Sequence, residues 1–555
     1  MKRIVTIAST ALLGLAALTG IAWYTGLVDR VLVHQFVRQP ERENLARQLD
    51  TPAGYPGRRE PDFSPFEGWL AQLDEARARE LDALLEDASI VDIQRFFESG
   101  RLSSEELVLY YVRRIQKYDG TLHSVSELDP DAIQVAQRLD AERARRDTRG
   151  PLHGIPILLK DNIATGGALH TTAGAKALER VRTGRDAFLV QRLREAGAVV
   201  LGKTAMSEWA NYMSSHLPNG FSSVGGQVRN PYGAFDVSGS SAGSAVAVAA
   251  NFVTAAVGTE TWGSLISPAS QNSIVAIKPS VDLVSRHGII PMVDAQDTAG
   301  PMTRNVTDAA ILLDVLSGED QDDPATGRAL RAEVYYRSIQ DPDGLTGRRV
   351  GVVRLRGDAA EGDGEMLDAA LDVLERSGAQ LVELPPVSII DLREDRDDFF
   401  VLANHDFRRG VDAFLEATKA PVRSLAQIIA FNVEDPETRA PFGQDLLIGA
   451  QESRTTDPEY RERLSRSIAR SRKLIDGWLA DHGLDMLVAV GMPFYLNYPA
   501  AGYPAASVPA GYRPSGEPVG LAFIGGFLEE RALIRAAFAF EQRVRARRAP
   551  ELAPP

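Results

Sequence analysis

Gly239-Ser240-Ser241-Ala242-Gly243-Ser244 is the stretch from which the organisation of this chain can be predicted. It is too rich in glycine and serine for the interior of a helix, and it leads into the uncharged run Ala245–Val257. That run predicts a helix with almost no polar face, which belongs in the centre of a domain. A second loop of small residues, Gly258-Thr259-Glu260-Thr261-Trp262-Gly263-Ser264, follows directly. Two loops that carry hydroxyl groups are therefore expected at the two ends of one buried helix.

A lysine upstream is the candidate base for these hydroxyl groups. Lys160 follows Ile155–Leu159, an apolar segment typical of a buried strand. In α/β folds ligand chemistry concentrates at the carboxyl end of such a strand. An amine accepts a proton from a serine only while it is neutral, and burial favours the neutral form by lowering the pKa. Lys160 and the serines of the two loops therefore predict a proton relay for hydrolysis.

The second loop also offers donors for an oxyanion. Gly263 has no side chain, so the backbone N–H groups beside it are approachable. The candidate donors are the N–H groups of Thr261, Trp262, Gly263 and Ser264. One well-placed donor of this kind contributes about 3–4 kcal/mol to stabilisation of the transition state.

An alternative nucleophile lies in the first loop. Gly239–Gly243 matches the G-x-S-x-G elbow of α/β-hydrolases, with Ser241 as the nucleophile. The elbow needs a strand directly before it, whereas residues 228–237 are typical of a loop. It also needs a later acid and histidine, and the histidines that follow are His287, His405 and His482. A five-residue match in a chain rich in glycine and serine is weak evidence for this alternative.

Composition excludes several classes of function. The chain has 61 basic and 75 acidic residues, a net charge of −14, which disfavours a nucleic-acid partner. It has no cysteine, so thiol catalysis, thiolate metal sites and disulfides are excluded. Its eight histidines include no pair at i, i+4 spacing and no HExxH pattern, which disfavours a zinc site. We therefore expect neither a metal nor a cofactor.

The N-terminus predicts export. Lys2 and Arg3 precede the uncharged run Ile4–Val28, which as a helix would be roughly 37 Å long at about 1.5 Å per residue. Residues 1–28 are therefore expected to be a cleaved signal or a retained membrane anchor. The basic start places that end inside and the rest outside. The prediction is an exported protein, periplasmic or membrane-anchored and facing outside the cytoplasm.

The rest of the chain predicts one large catalytic domain. Residues 29–75 mix charge, proline and glycine and suit an extended arm, and residues 76–545 form the domain. Alternating strand and helix patterns predict an α/β fold, in which helices cover both faces of a mixed sheet. Residues 390–475 are charged and mainly helical, as in a lid or an insertion. Residues 546–555 are expected to be a disordered tail.

Taken together, these segments resemble the amidase signature family. The matching segments are Gly150–Pro156, Lys160-Asp161-Asn162, both serine loops and Gly300-Pro301-Met302-Thr303. The likeness is close over about residues 88–320, with the signature core at about 150–320, and looser over 480–545. The resemblance implies the amidase signature fold and amide hydrolysis through an acyl-enzyme, without metal or cofactor.

The resemblance also implies roles for single residues. The family's catalytic lysine falls on Lys160, its cis-peptide relay serine on Ser240 and its acyl-forming nucleophile on Ser264. The oxyanion amides would be those of Thr261 to Ser264. Trp262 stands beside the nucleophile where glycine is usual, and we expect its indole to shape the acyl pocket. Ala242 replaces a usual glycine, a milder change.

The branch of the family is indicated by Glu260-Thr261-x-Gly263-Ser264, which looks most like bacterial peptide amidases. Those enzymes remove the C-terminal amide of peptides, so the predicted partner is a peptide amide or a small-molecule amide. Contact with a membrane is expected only through the N-terminal segment. Two alternatives remain: the A-type subunit of a glutaminyl-tRNA amidotransferase, and a membrane-tethered binding protein with an inactive site.

Overall fold

Short segments of valine, leucine, isoleucine and alanine, each bounded by glycine, proline or polar residues, form the strands of one large sheet. The structure is a computed structural model and describes residues 27–52, 54–329, 335–338, 341–356, 363–388, 391–490 and 497–553. Within these residues the strands are β1 Val125–Leu128, β2 Pro156–Lys160, β3 Val199–Thr204, β4 Phe221–Ser222, β5 Gly226–Gln227, β6 Ala255–Glu260, β7 Val275–Lys278, β8 Thr298–Thr303, β9 Arg349–Val352, β10 Gln380–Glu383, β11 Met486–Val490, β12 Ala505–Tyr512 and β13 Pro518–Ile524.

The strands other than β4 and β5 form a mixed sheet of 11 strands. Their order is β1-β3-β2-β6-β8-β7-β12-β13-β11-β9-β10, and β4 pairs with β5 in a separate hairpin. β2 runs parallel to both β3 and β6, whereas β6 is antiparallel to β8. The predicted α/β fold with a mixed sheet is therefore confirmed.

Helices pack against this sheet and extend beyond it. They are α1 Leu27–Val33, α2 Gln39–Asp50, α3 Glu67–Leu70, α4 Glu75–Leu85, α5 Ile90–Glu98, α6 Ser104–Leu122, α7 Ala132–Ala144, α8 Phe188–Glu195, α9 Ala242–Ala249, α10 Ile266–Gln271, α11 Val306–Leu316, α12 Tyr335–Ser338, α13 Asp363–Arg376, α14 Arg393–Thr418, α15 Leu425–Glu434, α16 Pro436–Arg439, α17 Asp445–Glu452, α18 Asp457–Asp481, α19 Asn497–Ala501 and α20 Glu530–Val544.

The register of the sheet places the two serine loops beside the lysine. β2 and β6 pair through Leu158 and Ala256 and through Leu159 and Val257, so Lys160 lies at the same edge as Gly258 and Thr259. The carboxyl ends of these parallel strands meet at that edge, where α/β sheets bind their ligands. The tertiary fold therefore brings together segments that lie about a hundred residues apart in the sequence.

The run Ala245–Val257, predicted to be one helix, is divided between two elements. α9 ends at Ala249 and β6 begins at Ala255. Between them Asn251 has a φ of 56°, a left-handed conformation that asparagine tolerates better than most residues. A run of alanine and valine has no polar positions whose period would separate a buried helix from a buried strand. No pattern in the sequence therefore indicates where the helix ends and the strand begins.

α9 is packed so closely that a glycine is required at its start. A Cβ atom added at Gly243 would lie 2.3 Å from the carbonyl oxygen of Ala205 and 2.5 Å from that of Ser124. Because both atoms belong to the backbone, we expect Gly243→Ala to lower the free energy of unfolding by about 3 kcal/mol, at the upper end of the cost of overpacking. Denaturant unfolding followed by circular dichroism measures the change.

Gly477→Ala is the matched control for that prediction. Gly477 lies within α18, and a Cβ atom there would have no heavy atom within 4 Å. Alanine is favoured over glycine in an open helical position by about 1 kcal/mol, so this variant should be more stable than the parent chain. Equal shifts of the unfolding midpoint in the two variants would contradict the close packing of α9.

The predicted signal or anchor at residues 1–28 lies outside the described residues except for Leu27 and Val28. Within the described part of the chain, no helix combines the length and the apolar character that a bilayer crossing requires. The helix that follows the predicted anchor, α1, carries Asp29, which is buried and accepts a hydrogen bond from Ser388. The prediction of an exported, periplasmic or membrane-anchored protein is wrong on this evidence.

Two further predictions about the ends of the chain need correction. Residues 29–75, expected to be an extended arm, contain most of α1 and all of α2 and α3. Pro40 lies in the first turn of α2, where proline is compatible with a helix. The described residues 546–553 of the expected disordered tail contact the domain. Arg547 forms an ion pair with Asp87 and donates to the carbonyl oxygen of Ala249, and Arg548 stacks on Tyr512.

The charged segment 390–475 contributes the helices from α14 to most of α18. Its apolar side packs on the domain through residues such as Phe399 and Phe407, which join a core cluster with Trp209 and Tyr212. Arg463, Arg466 and Arg470 on α18 bind the buried carboxylate of Asp398 on α14. These two long helices are thereby tied to each other, and the role of the segment as a lid stays a prediction.

Candidate active site

Lys160 lies at the end of β2 with its side chain completely buried. Its Nζ donates to Ser240 Oγ at 2.8 Å, to Ser241 Oγ at 2.9 Å and to Thr259 Oγ1 at 2.9 Å. The carbonyl oxygen of Thr259 is a fourth neighbour, at 3.1 Å. The amine is therefore surrounded by hydroxyl groups, each of which can also turn its proton toward a neutral nitrogen.

This environment holds the lysine near the neutral state. Burial lowers the pKa of Lys160 to about 7, although the negative charges of Glu260 and Asp297 act in the opposite direction. The amino end of α9, which begins at Ala242, adds a positive partial charge that disfavours an ammonium ion in the same way. A large fraction of Lys160 is thus available as a base around neutral pH.

The two serines of the first loop are both buried, but their surroundings differ. Ser240 follows a cis peptide bond with Gly239, and its hydroxyl bonds to the lysine. Ser241 also donates to the carbonyl oxygen of Thr259 at 3.0 Å and is the residue before α9. Residues 228–238, directly before this loop, contain no strand, and both serines are inaccessible to solvent. These observations oppose the alternative in which Ser241 is the nucleophile of a hydrolase elbow.

Ser264 lies in the turn between β6 and α10 and is the only serine of the three with measurable exposure, at 7%. Its carbonyl oxygen accepts a hydrogen bond from the N–H of Ser241 at 3.3 Å, so the two serine loops are neighbours. Gly263 has a φ of 76°, in the left-handed region that glycine adopts without strain. A turn of this kind can direct successive N–H groups toward one point, as an oxyanion requires.

Hydrogen bonds to buried side chains hold the turn that contains Ser264. Glu260 accepts hydrogen bonds from the N–H groups of Leu265 and Ile266 at 2.7 and 3.1 Å. Its second oxygen accepts from the hydroxyl of Tyr498 at 2.7 Å. Thr261 donates to the carboxylate of Asp297, whose pKa burial raises to about 6. Alternation along β6 therefore sends Thr259 toward the lysine and Glu260 toward the opposite side.

Trp262 ties the turn to the helical segment. The centroid of its indole ring lies 4.3 Å from the ring centroid of Phe399 and 6.3 Å from that of Phe400, both on α14. Because α14 begins the segment 390–475, a movement of these helices would act on the residues next to Ser264. The expectation that the indole shapes the acyl pocket stays a prediction.

A cavity of about 250 Å³ adjoins the lysine. Thr259 and Asn162 line it, and Thr259 Oγ1 accepts hydrogen bonds from both Lys160 and Asn162. Its wall combines apolar side chains with charged ones from the segment between β7 and β8 and from the loop after α11. A molecule bound in this cavity would therefore lie one side chain away from the amine.

The described residues include one group suited to a metal ion. Ligand atoms of His287, Asp320 and Asp322 lie within 4.8 Å of one another at the edge of the cavity. Ser285 donates to Asp320 at 2.6 Å, so one of the carboxylates already has a partner.

Comparison with known proteins identifies the class. Residues 106–488 match the family described as Amidase. A probable amidase from Arabidopsis thaliana is 40% identical over 478 residues, covering 84% of this chain and 92% of that protein. The chain therefore belongs to the amidase family and is an amide hydrolase.

Two further relatives are a peptide amidase and a subunit of an amidotransferase. The crystal structure of the native peptide amidase from Stenotrophomonas maltophilia is 42% identical, with a TM-score of 0.80, and the match covers 84% of this chain and 99% of that one. The A-type subunit of the glutamyl-tRNA(Gln) amidotransferase from Synechococcus sp. (strain CC9311) is 32% identical, covering 82% of this chain and 96% of that protein. The predicted likeness to bacterial peptide amidases is confirmed.

The structure adds residues to the candidate site that no sequence motif marks. Both the hydroxyl and the carbonyl group of Thr259 contact the lysine, although its loop gives no sign of this role. Tyr498 lies 238 positions after Glu260, and no pattern in the sequence connects the two residues. Asn162 follows Lys160-Asp161 in the segment that resembles the family, and this proximity is the sequence signal that points to it.

Proposed function

We propose that this protein hydrolyses peptide C-terminal amides, or similar carboxylic amides, through an acyl-enzyme on Ser264. The observation that carries the proposal is the contact of 2.8 Å between the buried Lys160 Nζ and Ser240 Oγ. A buried lysine whose pKa is lowered to about 7 and that is bonded to a serine has the properties of a general base. The neighbouring turn offers Ser264, which is 7% exposed, and a glycine suited to an oxyanion site.

In the acylation step the oxygen of Ser264 attacks the carbonyl carbon of the substrate. Its proton passes to Ser240 Oγ while Ser240 gives its own proton to Lys160. The N–H groups of residues 261–264 stabilise the negative charge that forms on the carbonyl oxygen. The carbon–nitrogen bond then breaks, and the leaving nitrogen takes the proton back from Lys160 through Ser240. An acyl ester on Ser264 and free ammonia or an amine result.

Deacylation uses the same groups. Water gives a proton to the relay as it attacks the ester, and the ester oxygen of Ser264 recovers a proton as the acid leaves. The lysine is neutral again at the end of the cycle, so no metal or cofactor enters the balance. This is the logic of the serine–histidine triads with an amine as the base.

The identity of 42% to a peptide amidase supports a peptide amide as substrate. The amidotransferase relative keeps the alternative of an A-type subunit open. The alternative of a binding protein with an inactive site is excluded, because the chain is an amide hydrolase.

Incubation of the purified chain alone with a blocked peptide amide tests the proposal. Release of ammonia, with the peptide acid detected by mass spectrometry, is the expected result. An amidotransferase subunit would instead need its partner subunits and a tRNA-linked acceptor for full activity. Hydrolysis of free glutamine but of no peptide amide would contradict the proposed substrate.

The dependence of the rate on pH tests the lysine. Because the pKa of Lys160 is lowered to about 7, the amine is protonated and inactive below that pH and neutral above it. We expect kcat/KM to fall about tenfold per pH unit below 6 and to reach a plateau above about 8. A neutral substrate with no group that titrates in this range is the control. A profile without a rise between pH 6 and 8 would exclude this amine as the base.

A further inference from the structure

We infer that the preferred substrates of this enzyme carry a cationic group in their acyl part, and that the cavity beside Thr259 binds this group. The cation is a primary ammonium or a guanidinium, supplied either by a basic side chain or by a free amino terminus. The inference rests on the proposed function, because it assigns the substrate class of the same site.

The charges of the cavity wall carry the inference. Five acidic residues line the cavity, Glu260, Asp294, Asp297, Asp322 and Asp323, together with one arginine, Arg286. The carboxylate of Glu260 is engaged elsewhere, because its two oxygens accept hydrogen bonds from Leu265, Ile266 and Tyr498. Without Glu260, four negative charges against one positive charge leave a formal excess of three when these four acids are ionised and His287 is neutral. A concave site lined by one sign of charge attracts ligands of the opposite sign.

The single guanidinium is not available to a negatively charged substrate. Asp323 accepts from Arg286 Nε at 3.0 Å and from Nη2 at 2.7 Å. Nη1 donates to the carbonyl oxygen of Asp294 and lies 3.3 Å from the carboxylate of the same residue. Arg286 is therefore neutralised within the wall, and it holds Asp294 and Asp323 in place.

An unused acceptor points to a ligand that donates hydrogen bonds. Asn162 is 4% exposed and lines the cavity, and its side-chain oxygen is buried with no hydrogen-bond partner among the described residues. Its amide nitrogen already donates to Thr259 at 3.0 Å, which fixes the orientation of the group. A buried acceptor without a donor costs free energy unless a ligand supplies one.

Apolar side chains complete the wall. Trp209, Ile290, Met292 and Phe407 line the cavity together with the acids. They can pack on the methylene groups of a lysine-like chain, and the aromatic faces attract a cation. The combination of carboxylates, a free acceptor and apolar surface fits an aliphatic chain that ends in a positive charge.

The first experiment compares amides that differ in charge. The neutral reference is Nα-acetyl-norleucinamide, and Nα-acetyl-lysinamide carries the charge on its side chain. Norleucinamide with a free amino group carries it at the terminus, so the panel distinguishes the two sources. We expect kcat/KM at low ionic strength to be about tenfold higher for at least one cationic amide, and 1 M salt to remove most of the difference.

The second experiment replaces acidic residues in the wall of the cavity. Asp322 and Asp294 have side chains that are 71% and 79% exposed, so replacement by asparagine leaves no buried group without a partner. We expect Asp322→Asn and Asp294→Asn each to lower the ratio of cationic to neutral kcat/KM by about fivefold, the effect of one charge at close range. Asp368→Asn is the matched control, since Asp368 is 70% exposed and lies outside the cavity.

The outcomes separate this inference from the proposed function. Equal hydrolysis of the neutral and both cationic amides would overturn the inference and leave the proposed function intact. A cationic preference that Asp368→Asn reduces as much as the wall variants do would also overturn it. Failure to hydrolyse any of the three amides would instead count against the proposed function itself.

Discussion

Replacement of Ser264 by alanine is expected to lower kcat/KM for a peptide amide by about 10⁵-fold, the scale seen when a nucleophile is removed from a serine hydrolase. The alanine lacks the oxygen that would form the ester, and the completely buried Ser240 and Ser241 cannot replace it. Because the turn that contains Ser264 is held by hydrogen bonds from the N–H groups of Leu265 and Ile266 to the Glu260 carboxylate, the variant should keep the fold. Single-turnover kinetics with an activated ester and thermal unfolding measure the two effects.

Labelling of the serines provides an independent check. A serine-directed phosphonate should modify the parent chain on the peptide that contains Ser264, and the Ser264→Ala variant should remain unlabelled. The matched control is Ser267→Ala, since Ser267 lies three residues later and bonds to Ser238 at 2.6 Å. That variant should still be labelled. An adduct on Ser241 would contradict the proposed nucleophile.

Replacement of Lys160 by methionine is expected to lower kcat by about 10³–10⁴-fold, the usual contribution of a general base. Methionine keeps the apolar chain of the lysine and removes the amine that faces three hydroxyl groups. The residual rate should lose the rise between pH 6 and 8, because the group that titrates there is gone. Pre-steady-state kinetics over that range measure both changes.

Lys203→Met is the control for removing a buried lysine. Lys203 is also completely buried, with a pKa that burial lowers to about 8, and it bonds to Thr171 at 3.3 Å rather than to a serine. Its loss removes the cation near the buried Asp161, so the variant should be less stable. Its rate per folded molecule should stay within about tenfold of the parent, since Lys203 has no contact with the hydroxyl groups at Lys160. Comparable losses of kcat in the two variants would indicate a structural role for Lys160.

Much of the fold followed from local patterns. The apolar run Met486–Val490 is typical of a buried strand and forms β11, and Ser103 and Glu106 form a capping box where α6 begins at Ser104. These signals are local, because alternation and capping depend on residues within a few positions of each other. The break between α9 and β6 had no such signal, because every residue of the run is buried in either conformation.

The candidate site was predicted in part for the same reason. Lys160, Ser240 and Ser264 lie in motifs that resemble those of the amidase signature family, so their roles could be proposed before the structure was known. The contacts that support these residues could not be predicted from the sequence. Tyr498 contacts Glu260, and Asp297 contacts Thr261, but the members of each pair lie too far apart in the sequence for a local pattern to connect them.

The sequence by itself determined the class of protein, the apolar segments that become strands, and the lysine and serines that the proposed chemistry needs. Only the tertiary structure decided that Lys160 faces Ser240 at hydrogen-bond distance and that a cavity with an excess of carboxylates adjoins it. Strand and helix preferences act over a few neighbouring residues, whereas burial, the pKa of an amine and the charge of a cavity depend on segments that meet only when the sheet has formed.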